Sequence, residues 1–466
     1  MKRLMRCLFC GLLQDEPEGV KQCQRCGGEL VFEEGPAPME DGSYLQAQME
    51  LDQINAPSGK MVDRHLLVTL RTPKKVPETH LAETDTGRQP LSFNVILDVS
   101  GSMRGMKIEN AKQALRMAAK MLRNGDQIAL SVFSDSPKLV LPPSSYSDQT
   151  REVFENVVGE LRPGGMTALH GGLTLGLKKA QEMRSDNNLT LLLSDGQANV
   201  GETDLEIIGR IAKDAADHGL NVSTLGVGMD YNEALMTEIA TQGKGRFYHV
   251  QSPTEIAQTM TAELGEAADL AARDVKIQIQ IPKGAALIPL SPSYQCEIVD
   301  GEAVVSIGDI PVDLEVEVPL RLTLFSGKAG DRLSIEGEIT YFTRSDVVLK
   351  TSLNRVTVRF IAENQYQKTL GVIKPVAERI ARQMHAKQVL NFSRAYTQDD
   401  ESQIREVEQE RSRLREYVKM LDEDAQKAMT EEMEEDLLSV RSRSPMAKDA
   451  VYNAYQTQHS MRGRKK

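Results

Sequence analysis

Short apolar runs alternate with helix-like repeats through the middle of the chain. Residues 94–97 and 191–193 are apolar or nearly so, as in strands buried on both faces. The intervening segments repeat apolar residues at three- and four-residue spacing. The pattern predicts strands at 94–97, 127–133, 189–193, 221–226 and 246–250, and helices at 107–123, 148–161, 169–183, 203–218, 232–241 and 253–263. Repeated strand–helix units predict an α/β domain with a doubly wound, mostly parallel sheet at 89–265.

The hydrophobic period changes to two after residue 274. Apolar and polar residues alternate in five segments, which are 275–281, 314–318, 321–325, 333–339 and 356–360. This alternation predicts an antiparallel β-sandwich at 270–362. Another apolar run, 65–72, begins a strand-plus-loop segment at 61–88. We expect that strand to pair into the sandwich, so that the α/β domain is an insertion within a β domain.

The remaining segments read as connections and helices. Residues 35–60 are rich in Gly and Pro and predict a linker, with one helical piece near 46–54. Residues 364–440 have the spacing of amphipathic helices, and Pro375 fits only in a first helical turn. A helical hairpin packed on its own chain is favoured there over an intermolecular coiled coil. Residues 441–466 predict a mobile basic tail.

The composition of this 466-residue chain makes nucleic acid and membranes unfavourable partners. A formal net charge of −11 argues against general affinity for nucleic acid or anionic membranes. The first residues contain no apolar core of a secretory signal, and no run approaches the ~20 apolar residues that a membrane-spanning helix needs. We therefore expect a cytoplasmic protein without a membrane anchor.

Four cysteines fall close together near the start of the chain. Cys7 with Cys10 and Cys23 with Cys26 form two C-x-x-C pairs, which can bring four thiolates around one Zn²⁺. Residues 1–34 resemble a zinc ribbon. Its expected role is structural, because so small a unit has too little hydrophobic core to fold stably without a bound metal. A disulfide pair or a rubredoxin-like iron site are the alternatives, and contact with nucleic acid by nearby basic residues stays open.

Oxygen-bearing side chains follow the apolar strands of the α/β domain. Asp98, Ser100 and Ser102 come directly after the first strand, and Asp195 follows the strand at 189–193. Thr167 ends the glycine-containing loop 163–167. Ligands of open α/β sheets bind beyond the carboxyl ends of the strands, where these side chains would meet. Carboxylate and hydroxyl oxygens suit a small hard cation, foremost Mg²⁺ or Mn²⁺.

This set of five side chains, in this order and on this background, resembles the metal-ion-dependent adhesion site of von Willebrand factor type A domains. The resemblance implies that Ser100, Ser102 and Thr167 bind a Mg²⁺-type ion directly. It implies that Asp98 and Asp195 act mostly through bound water, and that an Asp or Glu of a partner protein fills an open ligand position. Mn²⁺ and Ca²⁺ are alternatives to Mg²⁺. With its sandwich segments, the chain also resembles bacterial type A domain proteins related to inter-α-trypsin inhibitor heavy chains.

The sequence gives no support for catalysis. It contains no Gly-x-Ser-x-Gly and no Gly-Lys-Ser/Thr, and Asp98-Val99-Ser100 lacks the second aspartate of an Asp-x-Asp phosphotransferase. We expect a non-enzymatic, metal-dependent protein-binding module. The alternatives are an RNA-binding type A/zinc-ribbon protein and an accessory subunit of a AAA+ ATPase, as in metal chelatases.

Overall fold

The computed structural model describes residues 4–7, 13–15 and 30–32 by their backbone, and residues 44–75, 90–183, 187–343, 347–367, 371–444 and 446–459 more fully. The first described strands, β1 (Leu4–Cys7), β2 (Leu13–Asp15) and β3 (Leu30–Phe32), form an antiparallel sheet in the order β2-β1-β3. Cys7 ends β1, whereas Cys10, Cys23 and Cys26 lie outside the described residues. The zinc site therefore stays a prediction.

The segment predicted as a linker contains strands. They are β4 (Gln46–Leu51) and β5 (Asn55–Pro57). The strand predicted at 65–72 is β6 (Val62–Arg71), which follows the turn at Gly59. The helical piece predicted near 46–54 is wrong. Met49 and Leu51 alternate with polar residues and are buried in a β core, which is a strand pattern rather than a helical one.

The central sheet has six strands in the order β12-β11-β10-β7-β8-β9. They are β7 (Leu91–Asp98), β8 (Gln127–Phe133), β9 (Pro137–Ser145), β10 (Asn187–Ser194), β11 (Val222–Val227) and β12 (Lys244–Val250). All neighbours are parallel except β9, an antiparallel edge strand that the sequence analysis missed. Three prolines interrupt the apolar pattern of β9, and an edge strand tolerates them.

In the described parts of the α/β domain, six helices cover the two faces of this sheet. They are α1 (Met106–Met121), α2 (Asp148–Glu160), α3 (Leu169–Gln181), α4 (Leu205–Asp217), α5 (Glu233–Gln242) and α6 (Ile256–Ala268). Helices α1, α2 and α6 share one core, and α3, α4 and α5 share the other. In α3, a Cβ at Gly172 would overlap the ring of Phe133, so glycine permits the close approach of α3 to β8.

Among the residues that the structure describes, nine further strands follow the α/β domain. They are β13 (Leu270–Gln280), β14 (Ala285–Pro289), β15 (Gln295–Val299), β16 (Glu302–Pro311), β17 (Glu315–Leu324), β18 (Arg332–Ile335), β19 (Gly337–Phe342), β20 (Val348–Ser352) and β21 (Val356–Ile361). Three sheets enclose one core, in the orders β15-β16-β13-β19-β20, β14-β17-β6-β4 and β18-β21-β5. Strand β6 pairs with β17 along its whole length, so the α/β domain lies between two strands of one sheet.

The chain then becomes helical. The helices are α7 (Glu363–Tyr366), α8 (Lys374–Gln398), α9 (Glu401–Val418), α10 (Glu423–Arg441) and α11 (Met446–Gln458). Pro375 lies in the first turn of α8, as predicted. The mobile tail predicted from residue 441 is wrong over α11, where Val451 and Tyr455 are buried in the core shared with α4 and α5. Residues of α8 and α9 also pack on Leu67 and Leu290 of the β region. Within the described ranges, no helix has the length and apolarity to cross a membrane.

Candidate metal site

Strand β7 delivers Asp98 to the carboxyl edge of the central sheet. Its carboxylate is fully buried and accepts two short hydrogen bonds, from the Ser100 amide to Oδ1 at 2.8 Å and from Ser194 Oγ to Oδ2 at 2.6 Å. Ser194 ends the neighbouring strand β10, so the parallel pairing of β7 and β10 sets this contact. These bonds fix the orientation of the carboxylate before any ligand binds.

Burial raises the pKa of Asp98, and the hydrogen bonds from Ser194 and Ser100 oppose that rise. The nearby charge of Asp195 raises the pKa further. A buried carboxylate with a second carboxylate beside it is stabilised in its charged form by a cation. The electrostatics of this edge therefore favour positive charge.

Ser100, Ser102 and Asp195 form a continuous row of oxygen atoms. The hydroxyls of Ser100 and Ser102 lie 3.0 Å apart, and Ser102 Oγ donates to Asp195 Oδ1 at 2.7 Å. Ser100 and Asp195 are buried, whereas Ser102 is exposed. The row thus runs from the interior of the sheet edge to its surface.

Thr167 approaches from the glycine loop that precedes α3. Backbone bonds dock this loop on the β7 end, from Gly101 N to Gly165 O at 2.9 Å and from Gly164 N to Val99 O at 2.8 Å. Gly165 has a φ of +81°, a left-handed conformation that favours glycine. The Thr167 amide donates to Asn199 Oδ1 at 2.9 Å, which fixes the loop from the opposite side.

Oxygens of three of the five predicted ligands converge beside Gly196. A Cβ built at Gly196 would lie 3.2 Å from Thr167 Oγ1, 3.4 Å from Ser102 Oγ and 3.8 Å from Asp98 Oδ2. Oxygens from three separate segments therefore surround one point, and the glycine leaves it open. Two carboxylates and three hydroxyls are a ligand set for Mg²⁺, Mn²⁺ or Ca²⁺ rather than for a thiophilic metal.

Two contacting residues were missed by the sequence analysis. Lys107, in the first turn of α1, forms an ion pair with Asp195 Oδ2 and lies 4.0 Å from Asp230. Asn199 orients Thr167. Neither belongs to the pattern of hydroxyls and carboxylates, and no sequence signal marks a lysine or asparagine that reaches across a sheet edge.

Residues 94–262 match the sequence model of the von Willebrand factor type A domain. The chain contains a von Willebrand factor type A domain. Domains of this family are metal-dependent adhesion and protein-interaction modules, and they commonly bind a divalent metal at a metal-ion-dependent adhesion site. The domain model covers only part of the chain, so the β region and the helical region stand outside it.

Two curated proteins illustrate the relationship. The uncharacterized protein YfbK of Escherichia coli strain K12 is 30% identical over 189 residues, which cover 40% of this chain and 32% of YfbK. Inter-alpha-trypsin inhibitor heavy chain H1 of Mesocricetus auratus is 26% identical over 225 residues, which cover 46% of this chain and 24% of that protein. The chain thus spans a third or less of either relative.

The fold similarity extends beyond the type A domain. A solved structure described as von Willebrand factor type A from Catenulispora acidiphila superimposes with a TM-score of 0.64. The superposition covers 91% of this chain and 99% of that one, at 16% sequence identity. At that identity the likeness concerns the fold alone, and it includes the regions that flank the type A domain.

Proposed function

We propose that this protein is a non-enzymatic binding module that captures an acidic side chain of a partner protein. Asp98, Ser100, Ser102, Thr167 and Asp195 would hold a divalent cation of the Mg²⁺ type. The convergence of the Thr167, Ser102 and Asp98 oxygens on the open point beside Gly196 is the observation that carries the proposal. When bound, such an ion supplies an electrophilic position that a carboxylate can fill.

The ion site is tested first by calorimetric titration with MnCl₂ and MgCl₂. Thr167→Ala removes one predicted ligand, and we expect it to weaken binding at least about tenfold, the loss of one ligand contact. Thr174→Ala is the matched control, because Thr174 is an exposed threonine of α3 whose hydroxyl donates to the His170 carbonyl of the same helix. Equal affinities for Thr167→Ala and Thr174→Ala would refute the ligand assignment.

Partner capture is tested by affinity purification from the extract of the source cells. The full chain serves as bait with Mg²⁺, with chelator, and as Asp98→Ala and Thr174→Ala variants. We expect one protein to be retained by wild type and Thr174→Ala in Mg²⁺, and lost in the other two lanes. Retention of the same protein in all lanes would place the binding surface elsewhere on the molecule.

The four cysteines Cys7, Cys10, Cys23 and Cys26 are proposed to hold one structural Zn²⁺. The proposal depends on their C-x-x-C spacing.

A further inference from the structure

The candidate metal site opens into a cavity of about 820 Å³. One wall is the carboxyl edge of the type A domain, with Ser102, Thr167 and Asp195. Another part of the lining comes from the helical region, including Tyr396 near the end of α8 and Arg443 between α10 and α11. Residues of the type A domain and of the helical region therefore line one cavity.

The two walls are held together by buried polar contacts. Lys448 Nζ, on α11, donates to the Tyr231 carbonyl at 2.6 Å and to Glu233 Oε2 at 2.8 Å. Its ammonium also lies 4.1 Å from the centre of the Tyr231 ring. Arg394 of α8 adds an ion pair with Glu238 of α5 at 3.1 Å. These contacts hold α8 and α11 on the type A domain and thereby keep the two sides of the cavity together.

Lys448 forms an ion pair with Glu233, whereas Arg443 has no such carboxylate partner among the described residues. It is exposed, and its guanidinium donates to the Tyr396 carbonyl at 3.4 Å. Across the parts of the chain that the structure describes, no carboxylate forms a salt bridge with it. Its backbone is fixed by the closing bonds of α10, from Arg443 N to Val440 O and from Ser444 N to Ser439 O. A guanidinium that lines a cavity and has no carboxylate partner among the described residues can bind a carboxylate of a ligand.

Most other polar groups in the lining are neutral. Asn199 and Thr397 place an amide and a hydroxyl in the lining. Asn199 Oδ1 already accepts from the Thr167 amide and the Thr397 hydroxyl donates to the Ser393 carbonyl, which leaves the Asn199 amide nitrogen and the Thr397 oxygen lone pairs for a peptide backbone. Asp230 is an exposed acid of the lining, and Lys107 lies 4.0 Å from it. The volume falls within the range of about 300–1,000 Å³ of small-ligand sites, which suits a few residues of extended chain rather than a folded surface.

We propose that the cavity receives a short extended peptide segment with two acidic residues, one directed to the cation at the metal site and the other to Arg443. The proposal rests on the proposed function, because it takes the first carboxylate contact as given. It adds that the helical region recognises the ligand, and that the spacing between the two acids decides affinity. The partner is therefore a protein with a diacidic linear segment.

The test uses fluorescein-labelled peptides in which two aspartates are separated by one to five glycines. Each is paired with an analogue in which the second aspartate is asparagine. Fluorescence anisotropy with the full chain in Mn²⁺ measures affinity. At one or two preferred spacings we expect the diacidic peptide to bind about tenfold more tightly than its analogue, as for one charged hydrogen-bonded pair.

Arg443→Gln should remove this advantage and leave the monoacidic analogues unchanged. Arg441→Gln is the matched control, an exposed arginine at the end of α10 that lines a different cavity. The inference is overturned if no diacidic peptide binds wild type better than its analogue, or if Arg443→Gln behaves like Arg441→Gln. Mn²⁺-dependent binding of the monoacidic peptides, lost in Thr167→Ala, would support the proposed function even then.

Discussion

The attachment of α11 to the type A domain can be tested by replacing Lys448 with methionine. Only 10% of the Lys448 side chain is exposed, and its ammonium contacts Glu233, the Tyr231 carbonyl and the Tyr231 ring. Methionine keeps most of the apolar stem and removes the charge. The perturbation is therefore electrostatic rather than a loss of packing.

The expected cost follows from the burial of both partners. Removing one member of a buried ion pair costs about 3–5 kcal/mol, because the other charge is left unpaired. Glu233 keeps 23% of its side chain exposed and can be partly rehydrated, which places the loss at the lower end. We expect Lys448→Met to lower the free energy of unfolding by about 3 kcal/mol. Replacing Glu233 with glutamine as well should recover part of that loss, since no unpaired charge then remains.

Equilibrium urea denaturation followed by far-UV circular dichroism is the assay, because the chain has no tryptophan. With a slope of about 3 kcal/mol per molar urea, the midpoint should fall by about 1 M. Lys419→Met is the control, since its pair with Glu416 is exposed on both sides and should change stability by at most about 0.5 kcal/mol. A Lys448→Met midpoint equal to that of Lys419→Met would refute the reasoning.

Three further predictions concern pH, packing and zinc. Burial lowers the pKa of His459 to about 4, so the unfolded chain takes up this proton at a higher pH than the folded chain does. The free energy of unfolding should therefore fall as the pH is lowered from about 6.5 to 4. In pH-dependent melting, His459→Gln should reduce that fall. Gly172→Ala should cost about 1–3 kcal/mol through overlap with Phe133, whereas Gly265→Ala, with 3.8 Å to its nearest neighbour, should be neutral or stabilising in the same urea assay. Elemental analysis should find one zinc per wild-type chain and none in Cys10→Ser; zinc retained by that variant would exclude the four-cysteine site.

Sequence patterns predicted the elements of the candidate site because parallel strands share a direction. The ends of β7 and β10 must lie at one edge, so Asp98 and Asp195 could be placed together from their positions after apolar runs. Thr167 could be placed at the same edge because it ends a glycine-containing loop just before a helix. Local sequence carries this information because each residue sits directly at the end of its own element.

The contacts that come from distant parts of the chain could not be predicted in this way. Lys448 reaches Glu233 across 215 positions, and nothing in the helical spacing of α11 specifies which surface it covers. The predicted mobile tail failed for a related reason. The basic residues at the end of the chain dominate its composition, whereas the buried Val451 and Tyr455 form an apolar face of only a few residues. Tertiary packing, rather than local pattern, makes α11 a helix.

The position of the type A domain between β6 and β17 has a consequence for synthesis on the ribosome. Arg71 pairs with Glu315, 244 residues later. At about 5–20 residues per second, the ribosome makes the β17 partner of Arg71 roughly 12–50 s after Arg71 itself. The type A domain has all its own strands well before that moment. Translation therefore favours an order in which the inserted domain folds first and brings the two halves of the β region together.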